Sequence, residues 1–239
     1  MTGDDWNNDY WFNDDVSNID RKQTKSKYVG PQIVSLDKSI APPVRRNVIY
    51  HSSLNGPASK GKDYLPIIGL DPGGVTGWSR IILPSKISGI PVFNCSLETI
   101  LRNKYQWFHG QVDCREDEDA GVYRIRRLLD EWPTAAIICE DFILRAGRRE
   151  KSRDLLFPVR ITAKLEHHLW LRGRKMVLQQ PAMGKRLTDD RLKLLGVYTS
   201  EGGMQHARDA DRHVLMFIRR CMDTKGEVLQ RDSWPVGVF

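Results

Sequence analysis

From residue 63 onward, continuous apolar runs and helical apolar stripes follow one another along the chain. The apolar runs predict five strands, at 66–71, 76–83, 105–112, 135–140 and 175–181. Apolar residues at helical spacing predict four helices, at 116–132, 157–171, 188–195 and 205–221. Three strands followed by alternating helices and strands indicate one α/β domain, with a five-stranded mixed sheet flanked by helices.

The two flanks of this domain lack sustained periodicity. Residues 1–62 begin with an acidic and aromatic stretch and continue as a basic stretch that contains Gly and Ser, a composition typical of flexible segments. We expect 1–62 to be flexible, 63–222 to form the domain and 223–239 to be a C-terminal tail. The acidic-aromatic start is a docking peptide for a protein partner, a mimic of nucleic acid over a basic groove, or a tail without a role.

The distribution of charge favours a polyanionic partner. The formal net charge is +7 over 239 residues. Residues 1–20 contain six Asp and neither Lys nor Arg, so the remaining 219 residues carry 37 basic and 24 acidic side chains. The excess of basic side chains after residue 20 indicates nucleic acid as the first candidate partner, with ordinary solubility as the alternative reason for the charge.

Cysteine usage and hydropathy exclude other classes of protein. The four cysteines form no CxxC pair and no short metal-ligand spacing, so the sequence predicts neither a disulfide framework nor a zinc site. A reducing cytoplasm is therefore the expected compartment. No apolar run approaches the length of a membrane span, and no membrane partner is expected.

Two of the predicted strands end on a carboxylate. "LPIIGLDPGGVTGW" (65–78) ends its apolar run at Asp71 before a Pro-Gly-Gly turn, and "AAIICE" (135–140) ends at Glu140. If the strands are parallel neighbours, the two acids lie side by side and repel each other unless a cation sits between them. Oxygen ligands of this kind suit Mg²⁺ or Mn²⁺. A local turn cap is the alternative role for Asp71.

The last predicted helix adds two candidate ligands. In "MQHARDADRHVLMFIRRC", His206 and Asp209 lie three residues apart and project from one edge of the helix. Asp211 is expected to point elsewhere, and whether it contributes is left open. Capping or a solvated face explains each residue taken alone, but the two strand-end acids favour a shared metal site.

A basic segment follows Glu140 in the chain. "ILRAGRREKSR" (143–153) carries five cationic side chains, at Arg145, Arg148, Arg149, Lys151 and Arg153. Cations beside an acidic metal site would hold phosphates next to it, so we expect these residues to bind DNA. A solvated charged loop is the alternative.

The three motifs "IIGLDPGGVTGW", "AAIICEDF" and "HARDADRHVLMF", in this order, resemble the RuvC-type Holliday junction resolvases of the RNase H-like nuclease superfamily. The compact chain also resembles forms encoded by phages. The resemblance spans about 65–221 and implies an RNase H-like fold. It further implies a catalytic centre of two Mg²⁺ or Mn²⁺ ions held by Asp71, Glu140, His206 and Asp209, with Lys185 near the scissile phosphate. The turn after Asp71 is one residue shorter than the commoner family form, so no DNA sequence preference is transferred.

The activity implied by the resemblance is that of a crossover junction endodeoxyribonuclease. Such an enzyme cuts four-way or other branched DNA during recombination and repair, and family members act as homodimers. The apolar-rich helix in "LLFPVRITAKLEHHLW" (155–170) is the candidate dimer face. If the protein is phage-encoded, its compartment is the bacterial host cytoplasm. The alternatives are an RNase H-like nuclease on RNA–DNA hybrids or flaps, and a non-catalytic structure-specific DNA-binding protein.

Overall fold

The computed structural model describes residues 32–33, 63–143, 156–236 and 238. Its strands, in chain order, are β1 (Gln32–Ile33), β2 (Tyr64–Asp71), β3 (Val75–Pro84), β4 (Lys86–Ile87), β5 (Ile90–Pro91), β6 (Gln106–Asp113), β7 (Ala136–Glu140) and β8 (Val177–Gln179). Its α-helices are α1 (Leu97–Arg102), α2 (Glu118–Glu131), α3 (Phe157–Trp170), α4 (Pro181–Lys185), α5 (Asp189–Leu194), α6 (Gln205–Met222) and α7 (Gly226–Ser233). Within these ranges, no helix has the length and apolar character that crossing a membrane requires.

Side-chain caps fix where several helices begin. Ser96, Asp117 and Thr188 accept hydrogen bonds from backbone N–H groups three residues further on and so start α1, α2 and α5. Each cap provides an acceptor for an N–H group that has no partner within its helix. The helix starts therefore follow from local sequence.

The main sheet has the strand order β1-β6-β3-β2-β7-β8. β3 runs antiparallel to β2 and β6, whereas β7 is parallel to β2 and β8 is parallel to β7. The five strands expected from the sequence form a mixed sheet flanked by helices, so the predicted α/β fold is confirmed.

The sheet gains a sixth strand at its edge. β1 pairs in parallel with β6, placing Gln32 opposite Phe108 and Ile33 opposite His109. This strand lies within 1–62, where the sequence analysis expected a flexible region. A two-residue strand is too short to produce a recognisable hydrophobic period, so only its pairing with β6 reveals it.

Two apolar layers enclose the sheet. On one face, Ile67, Ile81 and Ile138 pack with the apolar side of α6. On the other face, Ile68 and Ile137 pack with residues of α2 and α3. Because side chains alternate along a strand, the fully buried runs of β2 and β7 supply both layers at once.

The segment after α6 packs on the domain, where the sequence analysis expected a tail from residue 223. α7 follows directly, and Trp234 is buried beside Phe93 and Phe217. The Trp234 Nε1 atom donates a hydrogen bond to the Pro66 carbonyl at 3.1 Å. A buried tryptophan with a satisfied N–H is a core residue, so this segment completes one end of the hydrophobic core.

Candidate metal centre

The two strand-end acids lie on the same face of the sheet. Along β2, Asp71 continues the alternation of Ile67 and Gly69 toward α6. The parallel register pairs Leu70 with Cys139, so Asp71 and Glu140 occupy the next positions of neighbouring strands. Neighbouring residues of a strand point to opposite faces, so Asp141, which directly follows β7, is expected on the face opposite to that of Glu140.

Two glycines let α6 lie directly on the backbone of the strands. A Cβ atom at Gly77 would stand 1.9 Å from the His206 carbonyl oxygen. A Cβ atom at Gly69 would stand 2.6 Å from Val214 Cγ2. Only glycine leaves room for such an approach. Because Gly77 pairs with Asp71 across β2 and β3, the first turn of α6 sits above the carboxyl end of β2.

The structure brings three of the four predicted ligands together. One ligand atom each from Asp71, His206 and Asp209 lie within 4.8 Å of one another. His206 Nδ1 and Asp71 Oδ2 are 2.7 Å apart and share a hydrogen bond. Glu140 is outside this group of three, although its charge acts on Asp71 from the neighbouring strand.

The electrostatics of the centre favour a cation. Burial, followed by the negative charges of Glu140 and Asp209, raises the pKa of Asp71, and the hydrogen bond from His206 opposes this rise. The hydrogen bond to Asp71 raises the pKa of His206, and nearby carboxylates act in the same direction. A bound cation would relieve the repulsion between these carboxylates.

The donor set fits a divalent ion that prefers oxygen. Two carboxylates and one imidazole converge, with a further carboxylate on the next strand, and this chemistry suits Mg²⁺ or Mn²⁺. The Asp71 side chain is 12% exposed and the His206 side chain 43% exposed. The centre is therefore held by the core on one side and open to solvent on the other.

Comparisons with known proteins give no family assignment. No family model matches the chain, and no curated protein matches it. Among solved structures, T. thermophilus RuvC in complex with a Holliday junction substrate aligns at 13% identity and a TM-score of 0.42, covering 66% of this chain and 95% of that one. A second Thermus thermophilus RuvC structure aligns at 13% identity and a TM-score of 0.42, covering 72% and 100%. A likeness of this degree assigns no function to the chain.

Two residues that sequence reasoning missed hold α6 in place over the centre. The Gln111 Oε1 atom accepts hydrogen bonds from the backbone N–H groups of His206 and Ala207, at 2.9 and 3.3 Å. Arg212 forms an ion pair with Asp209 and donates from Nε to the Leu187 carbonyl at 2.8 Å. Gln111 lies 95 residues before His206 in the chain, so no local signal indicates its role as a cap.

Asp211 does not join the candidate ligands. It is fully buried, and its carboxylate meets His109 Nδ1 at 2.6 Å and Trp107 Nε1 at 3.1 Å. The prediction that it points away from Asp209 agrees with this placement, whereas the alternative of a solvated face does not. Its partners on β6 fix the rotation of α6 about its own axis, which sets where His206 and Asp209 project.

Of the remaining predicted site residues, one lies on α4 and the others fall outside the described residues. Lys185 is exposed at the end of α4. Its neighbour Gly184 packs on the ring of His213, which in turn contacts Glu140. The basic residues expected to bind DNA, at Arg145, Arg148, Arg149, Lys151 and Arg153, fall outside the part of the chain that the structure describes.

Proposed function

We propose that this protein is a metal-dependent endonuclease that cuts four-way or other branched DNA. The observation that carries the proposal is the meeting of Asp71, His206 and Asp209 ligand atoms at the carboxyl end of β2. Open α/β sheets bind their ligands at this end of the strands. The basic body of the chain and the resemblance of its three motifs to RuvC-type resolvases support branched DNA as the substrate.

The residues of the centre act by holding charge at fixed positions. When bound, two Mg²⁺ or Mn²⁺ ions supply an activated water and stabilise the leaving oxygen of a phosphodiester. Asp71, Asp209, His206 and Glu140 are the proposed ligands. Phosphoryl transfer of this kind depends on positioning and charge neutralisation, so the carboxylates act as ligands rather than as general acids or bases.

Positive side chains around the centre would hold the DNA. We assign Lys185 to the phosphate nearest the cut, because it is exposed on α4 next to the residue that packs on His213. The segment 143–153 begins three residues after Glu140, and its cations are proposed to bind the flanking backbone.

The proposed enzyme acts as a homodimer, because resolving a junction requires two cuts. Large apolar side chains are exposed on α3, at Val159 and Trp170, and just before it, at Leu156. Trp170 is 71% exposed, and exposed apolar surface of this kind marks interaction sites. A second copy of the chain is the proposed occupant, in a two-fold arrangement that places the same surface on both sides.

The dimer face can be tested by adding charge to it. We expect the double variant Val159→Glu, Trp170→Glu to be monomeric at micromolar concentration, because two carboxylates would be desolvated on each side of the interface. Sedimentation velocity measures the change. Val228→Glu is the control, since Val228 is also exposed but lies on α7. An unchanged dimer in the double variant would place the interface elsewhere, and a wild type that is monomeric at that concentration would contradict the homodimer itself.

The function itself is tested by cleavage of labelled substrates. A four-way junction, a flap, a matched linear duplex and an RNA–DNA hybrid are each incubated with Mg²⁺, Mn²⁺ or EDTA. Paired metal-dependent nicks across the junction are the expected result. Preferential cleavage of the hybrid or flap would support the metal centre but show that branched four-way DNA is not the preferred substrate. Tight junction binding by folded protein without cleavage in any metal would favour the non-catalytic alternative.

A further inference from the structure

Each carboxylate of the candidate centre has a nitrogen-bearing partner on the same helix. Asp71 meets His206, and Asp209 meets Arg212. Glu140, the acid that lies outside the group of three, meets His213. His213 follows His206 by seven residues on α6, which is about two turns further along the helix.

The contact between His213 and Glu140 is short and shielded from solvent. The distance from His213 Nε2 to Glu140 Oε2 is 2.7 Å, and the His213 side chain is 1% exposed. An ionised carboxylate can only accept a hydrogen bond, so Nε2 carries the hydrogen and donates it. Oε2 is engaged in this way, and the Glu140 side chain as a whole remains 26% exposed.

Contacts with Gln179 and Gly184 fix the orientation of the His213 ring. Its Nδ1 atom lies 3.1 Å from Oε1 of the buried Gln179. Gln179 is the residue opposite Glu140 in the register between β7 and β8. Gly184 of α4 packs so closely that a Cβ atom there would lie 3.1 Å from Nε2 of the ring. These neighbours leave the imidazole one orientation, with Nε2 directed at Glu140.

The amide of Gln179 completes a chain of donors. Its Nε2 atom has no hydrogen-bond partner among the described residues. Rotating the Gln179 side-chain amide by half a turn exchanges its oxygen and its nitrogen. The nitrogen then lies within hydrogen-bond distance of His213 Nδ1 and donates to it. The order of donation then runs from Gln179 to His213 to Glu140.

We propose that His213 is a positioning residue that orients the Glu140 carboxylate for a divalent ion, with Gln179 and Gly184 fixing its ring. The inference rests on the proposed function, because it assumes that Glu140 is a metal ligand. Hydrogen-bond partners of this kind change metal affinity by about 10–100-fold when they are removed. His213 touches neither substrate nor ion in this assignment and acts only through Glu140.

The test measures metal binding by the full chain without DNA. Mn²⁺ is titrated into the protein, and the free ion is followed by electron paramagnetic resonance. His213→Phe keeps a flat ring but removes the donor, so we expect its Kd for Mn²⁺ to rise about tenfold. His213→Gln keeps a donor near the position of Nε2 and should recover most of the affinity. In cleavage assays the metal concentration for half-maximal rate should shift similarly, with the rate at saturating metal retained.

A matched control separates positioning from general stability. His168 is also a buried histidine paired with an acid, Asp130, but it lies between α2 and α3 on the other face of the sheet. His168→Phe should lower the melting temperature about as much as His213→Phe and leave Mn²⁺ affinity unchanged. Wild-type affinity in folded His213→Phe would overturn the inference.

Failure of the inference and failure of the metal centre give different results. If Asp71→Asn weakens Mn²⁺ binding but His213→Phe does not, the centre stands and the role of His213 is wrong. If Asp71→Asn binds Mn²⁺ as tightly as the wild type, the proposed centre fails and the inference with it. Should His213→Phe not fold, His213→Asn replaces it, because asparagine is too short to reach Glu140. Equal affinities for His213→Asn and His213→Gln would then overturn the inference.

Discussion

Replacing Asp71 with asparagine is expected to lower the cleavage rate about 10³-fold, because a metal ligand is worth several kcal/mol and each factor of ten is about 1.4 kcal/mol. The fold should survive, since asparagine has the same shape and its carbonyl oxygen still accepts the hydrogen bond from His206. Burial raises the pKa of Asp71, so removing the charge also removes a desolvation cost. DNA binding should be equal or stronger, because the lost charge repels phosphate. Single-turnover cleavage, junction affinity and thermal unfolding measure these three quantities.

The neighbouring acid on β7 provides the control for this variant. Asp141 follows Glu140 directly in the chain, and the alternation of the strand directs it away from α6. Asp141→Asn therefore removes one negative charge close to the centre without removing a proposed ligand, and its cleavage rate should stay within a few-fold of the wild type. Equal losses in the two variants would mean that overall charge, rather than metal ligation, governs cleavage.

Gly77→Ala is expected to lower the free energy of unfolding by about 3 kcal/mol, the upper end of the range for overpacking. The added Cβ would stand 1.9 Å from the carbonyl oxygen of His206 and 2.8 Å from the backbone nitrogen of Ala207. Backbone atoms cannot rotate away as a side chain can, so the first turn of α6 has to move. That movement separates His206 from Asp71, and cleavage and Mn²⁺ affinity should both fall in the protein that remains folded. Urea unfolding measures the free energy of unfolding, and Mn²⁺ titration measures the affinity of the centre for metal.

Gly202→Ala is the matched control for this prediction. It makes the same chemical change a few residues before α6, and a Cβ atom there would meet nothing within 4 Å. Its stability should lie within about 0.5 kcal/mol of the wild type, as for other surface substitutions. Wild-type stability and Mn²⁺ affinity in Gly77→Ala would show that α6 does not lie as close to β3 as the structure places it.

Features set by a single element could be read from the sequence. The runs "LPIIGLD" and "AAIICE" each show a strand that is buried on both faces and ends in an acid. Parallel neighbours bring such ends together, and this reasoning placed Asp71 and Glu140 on neighbouring strand ends, where the register between β2 and β7 has them. The spacing of three between His206 and Asp209 was likewise sufficient to place both on one edge of α6.

Features that depend on distant partners could not be read in this way. Asp211 lies in a polar stretch of α6, and only contact with His109 and Trp107, more than 100 residues earlier, gives it a buried place. Gln111 caps α6 from across the sheet. The sequence also gave no reason to pair Glu140 with His213, because that contact depends on where α6 crosses β7. Helix position over a sheet is a property of packing, and local patterns carry no information about it.

The partners of all three candidate carboxylate ligands lie on α6, and this matters while the chain is being synthesised. Asp71 and Glu140 leave the ribosome early, but His206, Asp209, Arg212 and His213 all follow within eight residues near the end of the domain. A nascent chain or a proteolytic fragment that ends before α6 holds two acids and none of the groups that organise them. For the proposed nuclease, a chain that lacks α6 therefore lacks two of the proposed ligands, and we expect it to be unable to cut DNA.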